Sequence, residues 1–214
     1  MTTLFFIRHG QSTANLLRVF AGQMDYPLTE QGLRQAEKGA AFLKKNFSID
    51  AVYSSPLSRA GETAEPTARL FGLKINFLED LRERSIGIWA GRPNHEIKEL
   101  YPEMYYAHKR REGVVPEDGE SPAQMQERAN RAVTRILAEN KGKNVAVFTH
   151  AGVFTALFAR WKEMLPELAD VAVFGNSSIT ALEYDDEGIA RRVILKNYQD
   201  HLGNDVTVVP RELL

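Results

Sequence analysis

Cysteine is absent from the 214 residues. That absence excludes disulfides, a thiolate nucleophile and thiolate metal sites, and it is compatible with a reducing compartment, so a cytoplasmic location is expected. Long apolar runs are missing too. None reaches the roughly 18 residues that a membrane-spanning helix needs, and the amino terminus enters a short apolar stretch without the features of a leader, so no membrane partner is expected. Charge of one sign is also lacking: 27 Lys+Arg against 28 Asp+Glu leave a formal net charge of −1. Bulk electrostatics therefore give no reason to expect a nucleic-acid partner. Histidine is scarce, five in all, with no paired spacing such as HExxH, and no metal site is expected. A hydrophobic content of 43% over this length allows one sizeable core, read as a single domain over residues 1–214.

What is present begins at residues 4–10. The apolar run LFFI predicts a buried strand over residues 3–7, and Arg8, His9 and Gly10 behind it predict an active-site turn. In open α/β sheets the ligand crevice lies outside the carboxyl ends of the strands. Taken alone, RHG would equally describe a solvated basic turn with an incidental histidine. Residues 11–24 read as loop with one helical turn. Thr29 is a cap for a helix whose buried stripe is Leu33, Ala36, Ala40, Leu43 and Phe47. A second strand is expected over 49–53, followed by Ser55 and Pro56 as cap and first turn of a helix carrying Leu57, Arg59, Ala60, Ala64 and Phe71 and stopping at Gly72. A third strand over 74–78 leads into the irregular, charged stretch 81–87.

Residues 93–119 predict two short helices, around 96–100 and 102–111, read as a helical lid insertion over the crevice. Its run Lys109-Arg110-Arg111 reads as a solvated face or as a ligand clamp. Ser121 to Gln124 form a capping box with Pro122 in the first turn, opening a helix that runs to Asn140. The strongest buried strand, 143–149, ends in His150-Ala151-Gly152, so a second histidine emerges as the first did. An apolar helix over 153–161 and a hairpin of 177–184 with 189–196 complete the pattern.

Three strands thus deliver Arg8 with His9, Arg59 and His150 to their carboxyl ends. Neighbouring strands lie about 4.8 Å apart, so side chains from adjacent ends can meet over one small ligand. Two guanidiniums and two imidazoles around one point repel one another unless an anion stands among them, and the Arg fork matches phosphate oxygens. A small phosphorylated substrate is expected.

The stretches FIRHGQSTAN (6–15), Gly22, Asp25, Leu28-Thr29, Gly32 and Ala36, YSSPLSRAGETA (53–64), LRERSIGIWAG (81–91), Gly119-Glu120-Ser121 and FTHAG (148–152) occur in this order. In that combination the chain resembles the histidine phosphatase superfamily, in its phosphoglycerate-mutase-like branch with the RHG signature. The resemblance implies an α/β fold, a three-layer α/β/α sandwich around a mostly parallel central sheet. It implies that His9 is the nucleophile that becomes phosphohistidine, that Arg8, Arg59 and His150 hold the phosphoryl oxygens, and that Asn15 adds a hydrogen bond. Gln11, Ser12, Ala151 and Gly152 are its further substrate-binding positions. Glu83 takes the role of proton donor to the leaving oxygen and of base for water; outside the motif it would read as a surface carboxylate paired with Arg82 or Arg84. The physics agrees with these roles. Phosphoryl transfer passes through a loose transition state whose charge sits on equatorial oxygens, where fixed positive donors act. A neutral imidazole is a competent nucleophile when one ring nitrogen is held as a donor, here by a carbonyl of the RHG turn. Neither cofactor nor metal is then required.

Two departures shape the expected activity. Ala151 stands where the family commonly has glycine or serine, and Ile86 where its cofactor-dependent mutases usually have tyrosine. The longer insertion with a Trp-Arg-Arg motif is also missing. The expected function is a metal-independent phosphomonoester hydrolase. A cofactor-dependent phosphoglycerate mutase using the same His9 and Glu83 is the alternative, with Lys109, Arg110 and Arg111 as a partial substitute for the missing carboxylate grip. The lid is expected to set the substrate, and a homodimer stays among the options for assembly.

Overall fold

In the computed structural model the described residues are 1–168, 171 and 173–207. Residues 169, 170, 172 and 208–214, which the single-domain reading includes, lie outside them. The first strand, β1, spans Thr2–Arg8 and is followed by the one-turn helix α1, Thr13–Leu17. Helix α2, Glu30–Asn46, starts where Thr29 accepts the Gly32 N–H on its side chain, the N-cap bond that satisfies an otherwise orphaned donor. Then come β2 (Ala51–Ser54), α3 (Ser58–Phe71), β3 (Ile75–Phe77), α4 (Asn94–Leu100), α5 (Pro102–Lys109) and α6 (Pro122–Glu139). The chain continues through β4 (Asn144–Thr149), α7 (Ala151–Met164), β5 (Ile179–Tyr184) and β6 (Ala190–Tyr198).

The six strands form one sheet in the order β3-β2-β4-β1-β5-β6. The first four are mutually parallel, and β5 and β6 run antiparallel. Alternation along β1 divides the core. Leu4 and Phe6 face a cluster that includes Ala129, Ile136, Phe154 and Trp161 of α6 and α7, while Phe5 and Ile7 face Leu43, Ala64 and Ala68 of α2 and α3. Because successive strand side chains point to opposite faces, a strand apolar at every position must be covered on both sides. The result is the expected α/β/α sandwich.

A third apolar cluster stands apart from the sheet. Ile86, Trp89, Ile97 and Tyr105 are buried together, with Phe20 packed against them. The aromatic rings of the 93–119 segment thus hold it to the 86–90 stretch, with the His108 and Tyr101 ring centroids 5.7 and 6.4 Å from that of Trp89.

Two expectations fail here. Leu33 is 48% exposed, because the buried face of α2 is made instead by Gly32, Gln35, Ala36, Gly39, Ala40 and Leu43. Ser55 and Pro56 do not open α3: its N-cap is Leu57, without a side-chain cap bond, and the Ser55 hydroxyl is engaged elsewhere.

Candidate active site

His9 and His150 are the residues immediately after β1 and β4, and Arg8 and Thr149 before them are register partners in the parallel pair. Their ring centroids lie 5.1 Å apart, close to the spacing of neighbouring strands. Sheet geometry therefore fixes the separation of the two histidines. Both are buried.

The His9 ring sits against its own turn, with Nδ1 2.7 Å from the Gly10 carbonyl. A carbonyl only accepts, so Nδ1 carries the proton and Nε2 keeps its lone pair. Burial first, then the charges of Arg8 and Arg59, hold His9 well below the ordinary imidazole range. It is neutral near pH 7 and fit to attack an electrophile.

The turn is braced from both sides. Gly10 donates its N–H to Thr63 Oγ1, and that hydroxyl donates at 2.6 Å to the Arg59 carbonyl, joining the RHG loop to the start of α3. Asn176, before β5, donates to the His9 carbonyl, the Gly10 carbonyl and Asn15 Oδ1 at 3.1, 3.2 and 3.2 Å.

Arg8 Nη1 donates to the Phe174 carbonyl at 2.6 Å, while its Nε is buried without a partner. Burial above all, with Arg59 adding, brings its pKa down to about 10 against the pull of Glu83, so it stays cationic. Arg59 is 1% exposed and donates to the Met24 and Gly22 carbonyls at 2.9 and 2.8 Å. Neither guanidinium meets a carboxylate within ion-pair distance among the described residues. Buried cations without such a partner are a ready receptor for an anion.

Glu83 pairs with neither Arg82 nor Arg84 by side chain. Arg82 bridges to Glu79, and Arg84 reaches the Glu120 and Val114 carbonyls. Instead, Glu83 Oε1 accepts the Arg84 N–H at 2.8 Å and Oε2 the Gly152 N–H at 3.3 Å. Gly152 makes room for it: a Cβ there would lie 2.1 Å from Glu83 Oε1. The backbone around Glu83 rests on Arg128 of α6, which donates to the carbonyls of Asp80, Arg82 and Glu83 and pairs with Glu120 at 2.6 Å.

The remaining positions divide. Asn15 Oδ1 accepts from Ser12 N, Ser12 Oγ and Asn176, closing the capping box of α1 with Ser12. Gln11 Oε1 accepts from Thr29 Oγ1, so Gln11 and Ser12 are engaged in building the loop. Ala151 begins α7, and its carbonyl accepts from Thr155. Arg110 pairs with the nearby Glu112.

Comparison with known proteins gives the family. A profile described as the histidine phosphatase superfamily (branch 1) matches residues 4–196. The chain belongs to that superfamily. It is 33% identical over 190 residues to a metal-independent phosphoserine phosphatase of Arabidopsis thaliana, a match covering 87% of this chain and 78% of that one. Phosphoglycerate mutase-like protein 4 of the same plant is 34% identical over 183 residues, covering 84% of this chain and 78% of the relative. Among solved structures, a mycobacterial glucosyl-3-phosphoglycerate phosphatase in complex with VO3 superposes with a TM-score of 0.81 at 28% identity, over 92% of this chain and 99% of that one. The protein is a phosphatase of this superfamily.

Asn176 and Arg128, which the motifs do not include, and Thr63, which lies in one of them without an expected role, bear on the site, as does Ser55, expected only as a helix cap. A signal existed for Arg128, a charge on the same helical face as the apolar Met125, Ala129 and Ala132. For Asn176, inside a Gly-Asn-Ser-Ser turn, there was none.

Proposed function

We infer that the chain hydrolyses phosphomonoesters of small phosphorylated metabolites through a phosphohistidine on His9, without a metal ion. The observation that carries this reading is the His9 ring, its Nδ1 proton committed to Gly10 and its Nε2 lone pair free beside Arg8 and Arg59. Nε2 attacks phosphorus and the P–O bond to the leaving group breaks. Glu83, protonated, gives its proton to that oxygen. The carboxylate left behind then takes a proton from water as the water oxygen attacks phosphohistidine, releasing inorganic phosphate and restoring both groups. Arg8, Arg59 and His150 hold the equatorial oxygens through both transfers. The backbone N–H groups on both oxygens of Glu83 fix its direction.

Hydrolysis is favoured over mutase chemistry because Ile86 is packed against Gly22 and offers no hydroxyl for a substrate carboxylate. The 93–119 segment, held by its own aromatic cluster, is the lid that would select the substrate. Because two relatives are named for phosphoserine and for glucosyl-3-phosphoglycerate, we put small phosphorylated carboxylic acids first in a substrate panel.

Two experiments test the reading. In Glu83→Gln, nitrophenyl phosphate should give a burst of nitrophenolate near one equivalent of enzyme and then slow turnover, with phosphate trapped on His9, since nitrophenolate leaves without a proton but phosphohistidine still needs a base. No burst and no label on His9 would overturn the covalent route. Activity should also survive exhaustive chelation; loss reversed by added Mg²⁺ or Zn²⁺ would overturn the metal-independent one.

A further inference from the structure

His150 is buried at the centre of the site, and its two ring nitrogens are unequal. Nε2 lies 2.8 Å from Ser55 Oγ, while Nδ1 is buried and meets no protein partner. Which nitrogen carries the proton decides what the ring can do for a phosphoryl oxygen. An N–H would donate to it, and a bare lone pair would repel it.

The hydrogen-bond inventory of Ser55 answers the question. Ser55 is completely buried, just beyond β2. Its Oγ accepts the Leu57 N–H at 3.3 Å. A hydroxyl has one proton to give, and among the described residues the only group in reach to receive it is His150 Nε2. If the ring instead donated from Nε2, the hydroxyl would accept twice and its own proton would be left buried without an acceptor. That arrangement is disfavoured wherever water cannot reach.

We propose that Ser55 is a positioning residue: its hydroxyl donates to His150 Nε2, fixes the ring as the Nδ1–H tautomer, and so makes His150 a hydrogen-bond donor to the transferring phosphoryl group. This rests on the phosphatase reading above for its use, but not for its geometry. The two histidines then carry their protons on the same atom for opposite ends. His9 buries the Nδ1 proton in Gly10 to free a nucleophile, and His150 buries the Nε2 lone pair in Ser55 to free a donor. Burial and the nearby charges of Arg59 and Arg8 keep His150 neutral, so the tautomer is a real choice between two states.

The test is a long-range ¹H–¹⁵N correlation spectrum of the full chain labelled at histidine nitrogens, without substrate, near neutral pH, with the His150 signals assigned by their loss in His150→Gln. Expected is a protonated-type shift at Nδ1 and an unprotonated-type shift at Nε2. In Ser55→Ala the two tautomers should mix, and orthovanadate should inhibit at least about tenfold more weakly, while the His9 signals stay in place. A wild-type His150 protonated at Nε2, or at both nitrogens, overturns the proposal, as does a Ser55→Ala chain with unaltered tautomer and vanadate affinity. The wild-type spectrum decides alone if the variant does not fold. If wild-type protein neither binds vanadate nor labels on His9, the phosphatase reading fails instead, and the tautomer is still read.

Discussion

Gly152 is the position where one added carbon should separate acid chemistry from phosphate binding. A Cβ there would fall 2.1 Å from Glu83 Oε1 and 2.9 Å from Met125 Cε, distances that force the carboxyl away. The three atoms nearest that carbon belong to Glu83 and Met125, and none of them to Arg8, Arg59 or His150. In Gly152→Ala, kcat for an alkyl phosphate should drop about 10²- to 10⁴-fold, the range lost with a general acid, while vanadate inhibition stays within a few-fold of wild type. Steady-state kinetics with vanadate titration reads both; a variant of normal kcat would show that Glu83 works from elsewhere. The glycine itself was visible in the FTHAG stretch. Its reason was not, since the neighbour it accommodates is 69 residues away.

At the scale of elements, α6 is a platform and Arg128 its contact with the site. The guanidinium serves three carbonyls of the 80–83 stretch and the Glu120 carboxylate, with its side chain 11% exposed. Arg128→Leu strips the donor from the Asp80 and Arg82 carbonyls, and leaves the Glu83 carbonyl to Gln23 and the half-buried Glu120 carboxylate to the Ser85 N–H. That loss should lower unfolding stability by about 3 kcal/mol, the low end for breaking a buried pair, and reduce kcat through loss of the Glu83 position. Urea unfolding measures the first and turnover at low temperature the second; a loss below about 1 kcal/mol, the worth of a surface pair, would mean that the platform is elsewhere. Elements were also what the sequence disclosed best. The apolar runs of β1 and β4 and the apolar periods of α2 and α6 fall within two residues of the observed ends, because the strands are set by local hydrophobicity and the helices by local period and capping. Ser55 was misread for the same reason: Ser-Pro is a good local cap, but the helix starts later and the hydroxyl serves a histidine 95 residues on. Propensity describes neighbours in sequence, and the supports of this site are neighbours only in space.

For the whole molecule, histidine burial sets the response to acid. His9 and His150 lie well below the imidazole reference of 6.5, and His108 and His201 are each brought down to about 4, burial being the first cause in every case. The unfolded chain therefore takes up protons near pH 6.5 that the folded chain refuses. Stability is full above that value and is lost as pH falls towards about 4. Denaturant midpoints measured from pH 7 downward should decline through that window. His201→Phe, which keeps the stack on Phe42 and Tyr198, should make the decline shallower; an unchanged slope would remove His201 from the account. Strand order has its own consequence, in the time domain. The first strand made, β1, is flanked by β4 and β5, whose pairing begins at residues 144 and 179. At about 5–20 residues per second on the ribosome, β1 waits roughly 7–35 s for those neighbours. The carbonyl that orients Arg8 belongs to Phe174, so His9, Arg8 and this support coexist only after the chain has been made past residue 174. A nascent chain that stops short of that residue carries His9 without the support of Arg8, and phosphatase activity is expected only once the sheet has closed around β1.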